Sequence, residues 1–161
     1  MCSSDLSSMS ATESRHLAYR RSHFRTRLPL GRLYTAAHQW LADEGGGTWR
    51  VGYTKFALRM LGDPVEFDFE VVPGQVVERG QAIGWLEGFK AVTDVFTPLG
   101  GTFAGANPEL ASTIELLRSS PYERGWLFRV RGTPGVDCVE VDGYAEHLDA
   151  TIDRMRGKDG P

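Results

Sequence analysis

Cysteine, lysine and long apolar runs are all scarce in this sequence, and each shortage removes a class of protein. Only Cys2 and Cys138 occur in 161 residues, so no disulfide framework or cysteine-built zinc site is available, and a reducing compartment suits the chain. No apolar stretch approaches the roughly eighteen residues that mark a membrane-spanning helix, so a soluble chain is expected. The four histidines, His16, His23, His38 and His147, fall at no spacing used by metal ligands. No Ser-His-Asp or Cys-His set, phosphate loop or pair of carboxylates stands at an interpretable spacing, which points away from a catalyst. Acids are missing from one region. Residues 15–32 hold six arginines and neither Asp nor Glu, so the formal charge of −3 hides a body of about −9 once those arginines are set aside. An acidic body is drawn to basic rims on its partners, and salt weakens that attraction.

What is plentiful is glycine and proline. Nineteen Gly and eight Pro imply many turns, and with 41% apolar residues they describe one mainly β domain. Val65 to Val71 alternates without a break, which predicts a strand burying Val65, Phe67, Phe69 and Val71. Ala82 to Leu86 and Val92 to Phe96 are each long enough for one strand, and Gly74, Gly80, Gly84 and Gly101 punctuate the region where strands must reverse. Lys90 therefore falls at or beside a hairpin tip, and two such strand pairs imply a small sandwich.

The flanks are read in the same way. Tyr34 to Leu41 and Thr48 to Gly52 make a hairpin around the glycines after Glu44. Thr54 caps a short helix that has Phe56, Ala57, Met60 and Leu61 on one face and ends at Gly62. Asn107 and Pro108 open two short helical turns through Leu117, and Trp126 to Arg131 is a strand. Asp142 caps a final helix whose stripe of Tyr144, Leu148, Ile152 and Met155 packs on the body, with a stop at Gly157. Residues 1–22 are read as a disordered or leader extension, 23–157 as a single domain and 158–161 as a tail. Cys2 to Leu6 can also be encoded by a common sequencing adaptor, which sets the expectation of a true start near Met9. His16 to Arg32 is compatible with a transit peptide, a nucleic-acid arm or a bland leader. The alternation from His23 to Leu28, ended by Pro29, favours an added edge strand.

A lysine at a turn is ordinarily a solvated charge. An enzyme that acylates one lysine must recognise it by its projection and its flanks, however, and Glu87 three residues before Lys90 and Asp94 four after supply an acidic frame. The segment Glu87-Gly88-Phe89-Lys90-Ala91-Val92-Thr93-Asp94 resembles the Glu-Ser-Val-Lys-Ala-Val-Ser-Asp signature of the H protein of the glycine cleavage system, a lipoyl carrier. Further stretches are similar in the same order. They are Tyr34-Thr35-Ala36-Ala37-His38-Gln39-Trp40, Val51-Gly52-Tyr53-Thr54 with Leu61-Gly62-Asp63, Asn107 to Leu110, and Pro121 to Leu127. The resemblance covers roughly Tyr34 to Met155.

The resemblance implies a lipoyl/biotinyl-type β-sandwich, or barrel-sandwich hybrid, with short helices and a C-terminal helix. It implies covalent lipoate on Lys90, recognition or arm docking by Glu87 and Asp94, and docking of the loaded arm by His38 and Gln39. The partners it implies are a glycine decarboxylase, an aminomethyltransferase, dihydrolipoamide dehydrogenase and a lipoate-attaching enzyme. It further implies a monomeric carrier in the bacterial cytoplasm, the mitochondrion being the second choice, with no metal, nucleic acid or membrane. Three departures stand out: Gly88-Phe89 replaces Ser-Val, Gln39 replaces a Glu, and Ala37 replaces a Ser. The loss of a carboxylate at Gln39 weakens the holding of a cationic arm. The competing readings are a biotinyl carrier, against which Phe89 and Ala91 argue, an H-like carrier in lipoate relay or another sulfur-carrier pathway, and an unmodified scaffold.

Overall fold

The computed structural model describes residues 15–159 of the chain, so the readings placed on residues 1–14 lie outside the described residues. In chain order the elements are β1 (His16–Arg21), β2 (Phe24–Pro29), β3 (Leu33–Tyr34), β4 (Gln39–Gly45), β5 (Thr48–Tyr53), α1 (Lys55–Leu61) and β6 (Pro64–Phe69). There follow β7 (Val76–Val77), β8 (Ala82–Gly88), β9 (Val92–Phe96), β10 (Leu99–Ala106), α2 (Glu109–Ser112), α3 (Leu116–Ser119), β11 (Phe128–Pro134) and α4 (Val141–Asp159).

The strands form a six-stranded sheet in the order β3-β4-β5-β11-β10-β7, a three-stranded sheet in the order β9-β8-β6, and a separate β1-β2 hairpin. The main core lies between the two larger sheets, where Ile83, Leu86, Val95 and Phe67 from one face meet Val51, Phe103, Phe128 and Val130 from the other. Aromatic edges meet there too, with Phe69 lying 5.3 Å from Phe103 and 5.7 Å from Phe128 between ring centroids. This is the lipoyl-type sandwich with short helices and a C-terminal helix that the sequence implied.

A second core explains the N-terminal hairpin. Tyr19, Phe24 and Leu28 on its inner face pack with Phe56 of α1, Trp40 of β4, and Tyr144, Leu148 and Ile152 of α4. Two polar contacts fasten the same junction: the Tyr19 hydroxyl donates to Asp149 at 2.8 Å, and Arg21 pairs with Asp153 at 2.7 Å. The Arg21–Asp153 pair holds the Asp153 carboxyl below its ordinary range, chiefly through the hydrogen bond from Arg21.

Several boundaries depart from the sequence reading, each for a physical reason. Residues 16–21, assigned to a leader, form β1, because their alternation complements β2 and buries Tyr19. The arginine-rich run is accordingly half of a hairpin that pairs with itself and not an edge strand added to the sandwich. Val65 is 42% exposed and not buried, because the β6–β8 register slips between Pro64 and Glu66 and turns Val65 outward. In α1 the buried residues are Phe56, Leu58 and Leu61, while Met60 faces solvent. The final helix starts at Val141, which places Asp142 in its first turn, and it runs past Gly157 to Asp159, because Gly157 does not adopt the positive φ that would end it.

One close approach tests the second core. A Cβ built on Gly52 would stand 2.5 Å from the Trp40 ring, which is fully buried and hydrogen-bonded from Nε1 to the Pro121 carbonyl at 2.9 Å. Gly52→Ala is expected to destabilise the protein by about 1–3 kcal/mol, the usual cost of overpacking, read as a lower urea midpoint at unchanged m-value.

Candidate functional site

The turn that carries Lys90 joins β8 to β9, whose register runs from Glu87 opposite Val92 to Gly84 opposite Val95. It is closed by the Gly88 amide donating to the Ala91 carbonyl at 2.8 Å. Hairpin tips usually end in solvent, but this one rests on the last turn of α1. The Lys90 amide donates to the Leu61 carbonyl at 2.9 Å and the Phe89 amide to the Asp63 carbonyl at 3.0 Å. Carbonyls at a helix end have no partner within the helix, so the turn satisfies groups that would otherwise need water.

Two glycines make that contact possible. Gly62 leaves α1 at φ +85°, and a Cβ there would stand 2.9 Å from the Lys90 backbone nitrogen. A Cβ on Gly88 would stand 2.4 Å from the Leu61 carbonyl oxygen. The helix itself is set by Thr54, whose hydroxyl accepts from the Ala57 amide at 3.4 Å, and by burial of Phe56, Leu58 and Leu61. The Lys90 side chain is exposed, and its Nζ donates to the Arg59 carbonyl at 3.3 Å, where the end of a helix favours a cation.

Two surfaces of opposite character meet at this lysine. Glu87 and Asp94 lie on the outer face of the three-stranded sheet, because their cross-strand partners Val92 and Trp85 face that way; Glu66, opposite Glu87, and Asp68, opposite Trp85, extend the same acidic face. On the other side a trough of about 550 Å³ is lined by Lys55, Arg59, Lys90, Arg118 and Phe89, among others. Phe89 is 80% exposed.

A further, mainly apolar cleft of about 470 Å³ opens on the inner side of the turn. Its walls include His38, Phe56, Leu61, Leu86, Ala91, Thr93 and Met155. His38 sits there at φ +67° with its Nδ1 2.8 Å from the Tyr144 hydroxyl, which also lies 2.8 Å from the Thr54 hydroxyl. Burial holds the His38 imidazole down to about 4, with His147 adding to the shift. Gln39 faces elsewhere. It is 3% exposed, and its amide donates to the Phe96 carbonyl at 2.8 Å, inside the protein and not among the cleft's walls.

Of the residues singled out from sequence, the fold thus gathers Lys90, Glu87, Asp94 and His38 around one turn and directs Gln39 inward. Sequence reasoning placed Met155 in the packing stripe of the last helix but missed that it and Thr151 wall the cleft, because α4 is distant in the chain. Leu86 and Thr93 were in principle accessible as an inward-facing cross-strand pair. Among the described residues no group of three His, Cys, Asp or Glu side chains could hold a metal ion, and no helix is long and apolar enough to cross a membrane.

The model of the glycine cleavage H-protein family matches residues 32–145, more than half of the chain. The chain belongs to the glycine cleavage H-protein family. The glycine cleavage system H protein of Micrococcus luteus is 41% identical over 124 residues, spanning 74% of this chain and 96% of that protein. That of Pectobacterium carotovorum is 38% identical over 125 residues, 76% of this chain and 95% of the other. A crystal structure of a glycine cleavage system H protein from Mycobacterium marinum superposes with a TM-score of 0.67 at 30% identity, covering 75% of this chain and 98% of that one. The β1–β2 hairpin lies before the family match begins.

Half-buried His38 makes the stability of the fold depend on pH. His38 is neutral in the fold, and its folded value lies below the unfolded value of 6.5, so the unfolded chain binds the extra proton between pH 6.5 and about 4. The stability that His38 contributes is complete above pH 6.5 and declines as pH falls, by up to about 1.4 kcal/mol per pH unit. Replacing it by His38→Asn, a residue that tolerates positive φ, is expected to flatten the fall of the urea midpoint between pH 7 and pH 4.5.

Proposed function

We propose that this protein is a lipoyl carrier of the glycine cleavage system, a subunit that presents a reactive arm and leaves catalysis to its partners. The observation that carries the reading is the lysine at the centre of the family's signature, held on a turn whose backbone is pinned to α1 while its side chain stays exposed. A carrier needs both properties. A loose turn would give partner enzymes no fixed projection to recognise, and a buried amine could not be acylated.

The residues present fit the group. Lys90 would hold lipoate through an amide at Nζ, and the apolar cleft beside Ala91 and Thr93 offers a lining compatible with a hydrocarbon arm. When bound there, lipoate would supply a dithiolane able to carry an aminomethyl group between the partner enzymes, a glycine decarboxylase, an aminomethyltransferase and dihydrolipoamide dehydrogenase. The chain's own contribution is orientation and shelter. Leu61 and Asp63 fix the turn by their carbonyls, and Phe56, Leu86 and Met155 give the cleft apolar walls. Neutral His38 adds no positive charge against a cationic load.

Glu87 and Asp94 frame the lysine for the attaching enzyme from the sheet's outer face. Gln39 acts at one remove, since its amide secures the Phe96 carbonyl at the end of β9. In that position a carboxylate would face a carbonyl oxygen, so the exchange of Glu for Gln at this place is consistent with the local hydrogen bonding. The bacterial relatives fit a cytoplasmic carrier.

The test is intact mass after co-expression with a lipoate-attaching enzyme. One lipoyl group is expected, mapped by peptide analysis to Lys90 and abolished in Lys90→Arg. Lipoate on Lys55 or Lys158, or on the Lys90→Arg protein, would contradict the assignment.

A further inference from the structure

The arginines of the N-terminal hairpin are the largest feature that the carrier reading leaves unused. In β1–β2, Arg20 lies directly across from Arg25, and Arg27 stands on the same outward face. Like charges directly opposite on a sheet oppose its formation. Among the described residues none of the three pairs with a carboxylate, whereas Arg21 on the other face finds Asp153.

This outward face lines a groove of about 750 Å³ that also reaches Lys55, Arg118, Ser119 and Pro121. The same four residues line the trough that holds Lys90. Together the two grooves carry seven cationic side chains and one carboxylate, Asp63, and Arg118 already holds that carboxylate at 3.1 Å. Arg59, stacked 5.6 Å from the Phe24 ring, joins the hairpin to α1. At the Lys90 end the exposed ring of Phe89 projects beside the basic run. An exposed aromatic next to an arginine-rich border is the anatomy of a protein interface, and a run this long and open is too extended for one small anion.

We propose that the hairpin and the Lys90 trough form one docking surface for an acidic rim on the enzyme that acylates Lys90, with Phe89 as its apolar anchor. This rests on the carrier reading. The attaching enzyme is the fitting occupant because its reacting atom is Nζ itself, 3.3 Å from the Arg59 carbonyl at the trough wall. There Nζ attacks the activated acyl carbon that the enzyme delivers as a thioester or acyl phosphate anhydride. The thiol or phosphate leaves with the bonding electrons, and Nζ releases a proton. An enzyme catalysing that step must close on the trough's walls, and the walls are basic.

The experiment measures initial rates of lipoate attachment, by intact mass, with the attaching enzyme encoded in the same genome. It compares the full chain, the triple variant Arg20→Glu, Arg25→Glu, Arg27→Glu, and a charge-keeping triple Arg→Lys variant at the same positions. At about 0.02 M salt the charge reversal should lower kcat/KM about tenfold with kcat little changed, and at about 0.5 M salt the gap should close. The lysine variant should follow the wild type. Phe89→Ala should be slower at both salt concentrations. Equal kcat/KM for wild type and reversal at low salt would overturn the proposal, and so would a deficit that salt leaves untouched or a Phe89→Ala protein as fast as wild type. A wild-type chain that accepts no lipoate at all would remove the carrier reading with it, so the two failures are told apart.

Discussion

The hydrogen bond from the Lys90 amide to the Leu61 carbonyl is the contact on which the functional half of the structure depends. The three-residue tip between β8 and β9, Phe89 to Ala91, buries none of its side chains, and its position comes from what its backbone touches. Here it touches the end of α1, and α1 is fixed in turn by its Thr54 cap and by Phe56, Leu58 and Leu61 in two cores. The contact is close enough to exclude a Cβ at both Gly62 and Gly88. The Leu-Gly-Asp segment and the glycine two residues before the lysine are thus two sides of one joint, although they lie 26 residues apart in the sequence.

From that joint the charge distribution follows. The three-stranded sheet turns Glu66, Asp68, Glu87 and Asp94 to solvent, while α1, α3 and the hairpin bring Lys55, Arg59, Arg118 and the hairpin arginines to the opposite side. Lys90 marks the boundary. Net charge alone described an acidic carrier seeking basic partners, and that description holds for the sheet's outer face. It is reversed on the other side of the lysine, because charges that are separate in sequence are gathered by the fold.

Much of this was legible in the chain. Thr54 and Gly62 bracket α1 because a hydroxyl cap and a positive-φ exit are local chemistry. Asn107 was readable as a cap, and it does accept from the Glu109 amide at 3.0 Å; that its own amide also donates to the Arg124 and Trp126 carbonyls was not, since those lie across a loop. The strands around Lys90 followed from alternation and glycine spacing. What escaped was non-local. Val65 turns outward through a register slip set by β8, β1 forms because Tyr19 finds Asp149 and the apolar stripe of α4, and Gln39 points inward because Phe96 offers a carbonyl. The basic run was visible as composition, but only the hairpin register reveals that Arg20 and Arg25 face each other.

The central claim is that the lysine is presented by a rigid joint and not by a free loop. The most direct measurement is backbone NMR of the Lys90 amide, combining its order parameter with its hydrogen exchange. The account predicts an order parameter of about 0.85, as in rigid backbone, and exchange much slower than in an unstructured peptide. An order parameter below about 0.6 with unprotected exchange would contradict it.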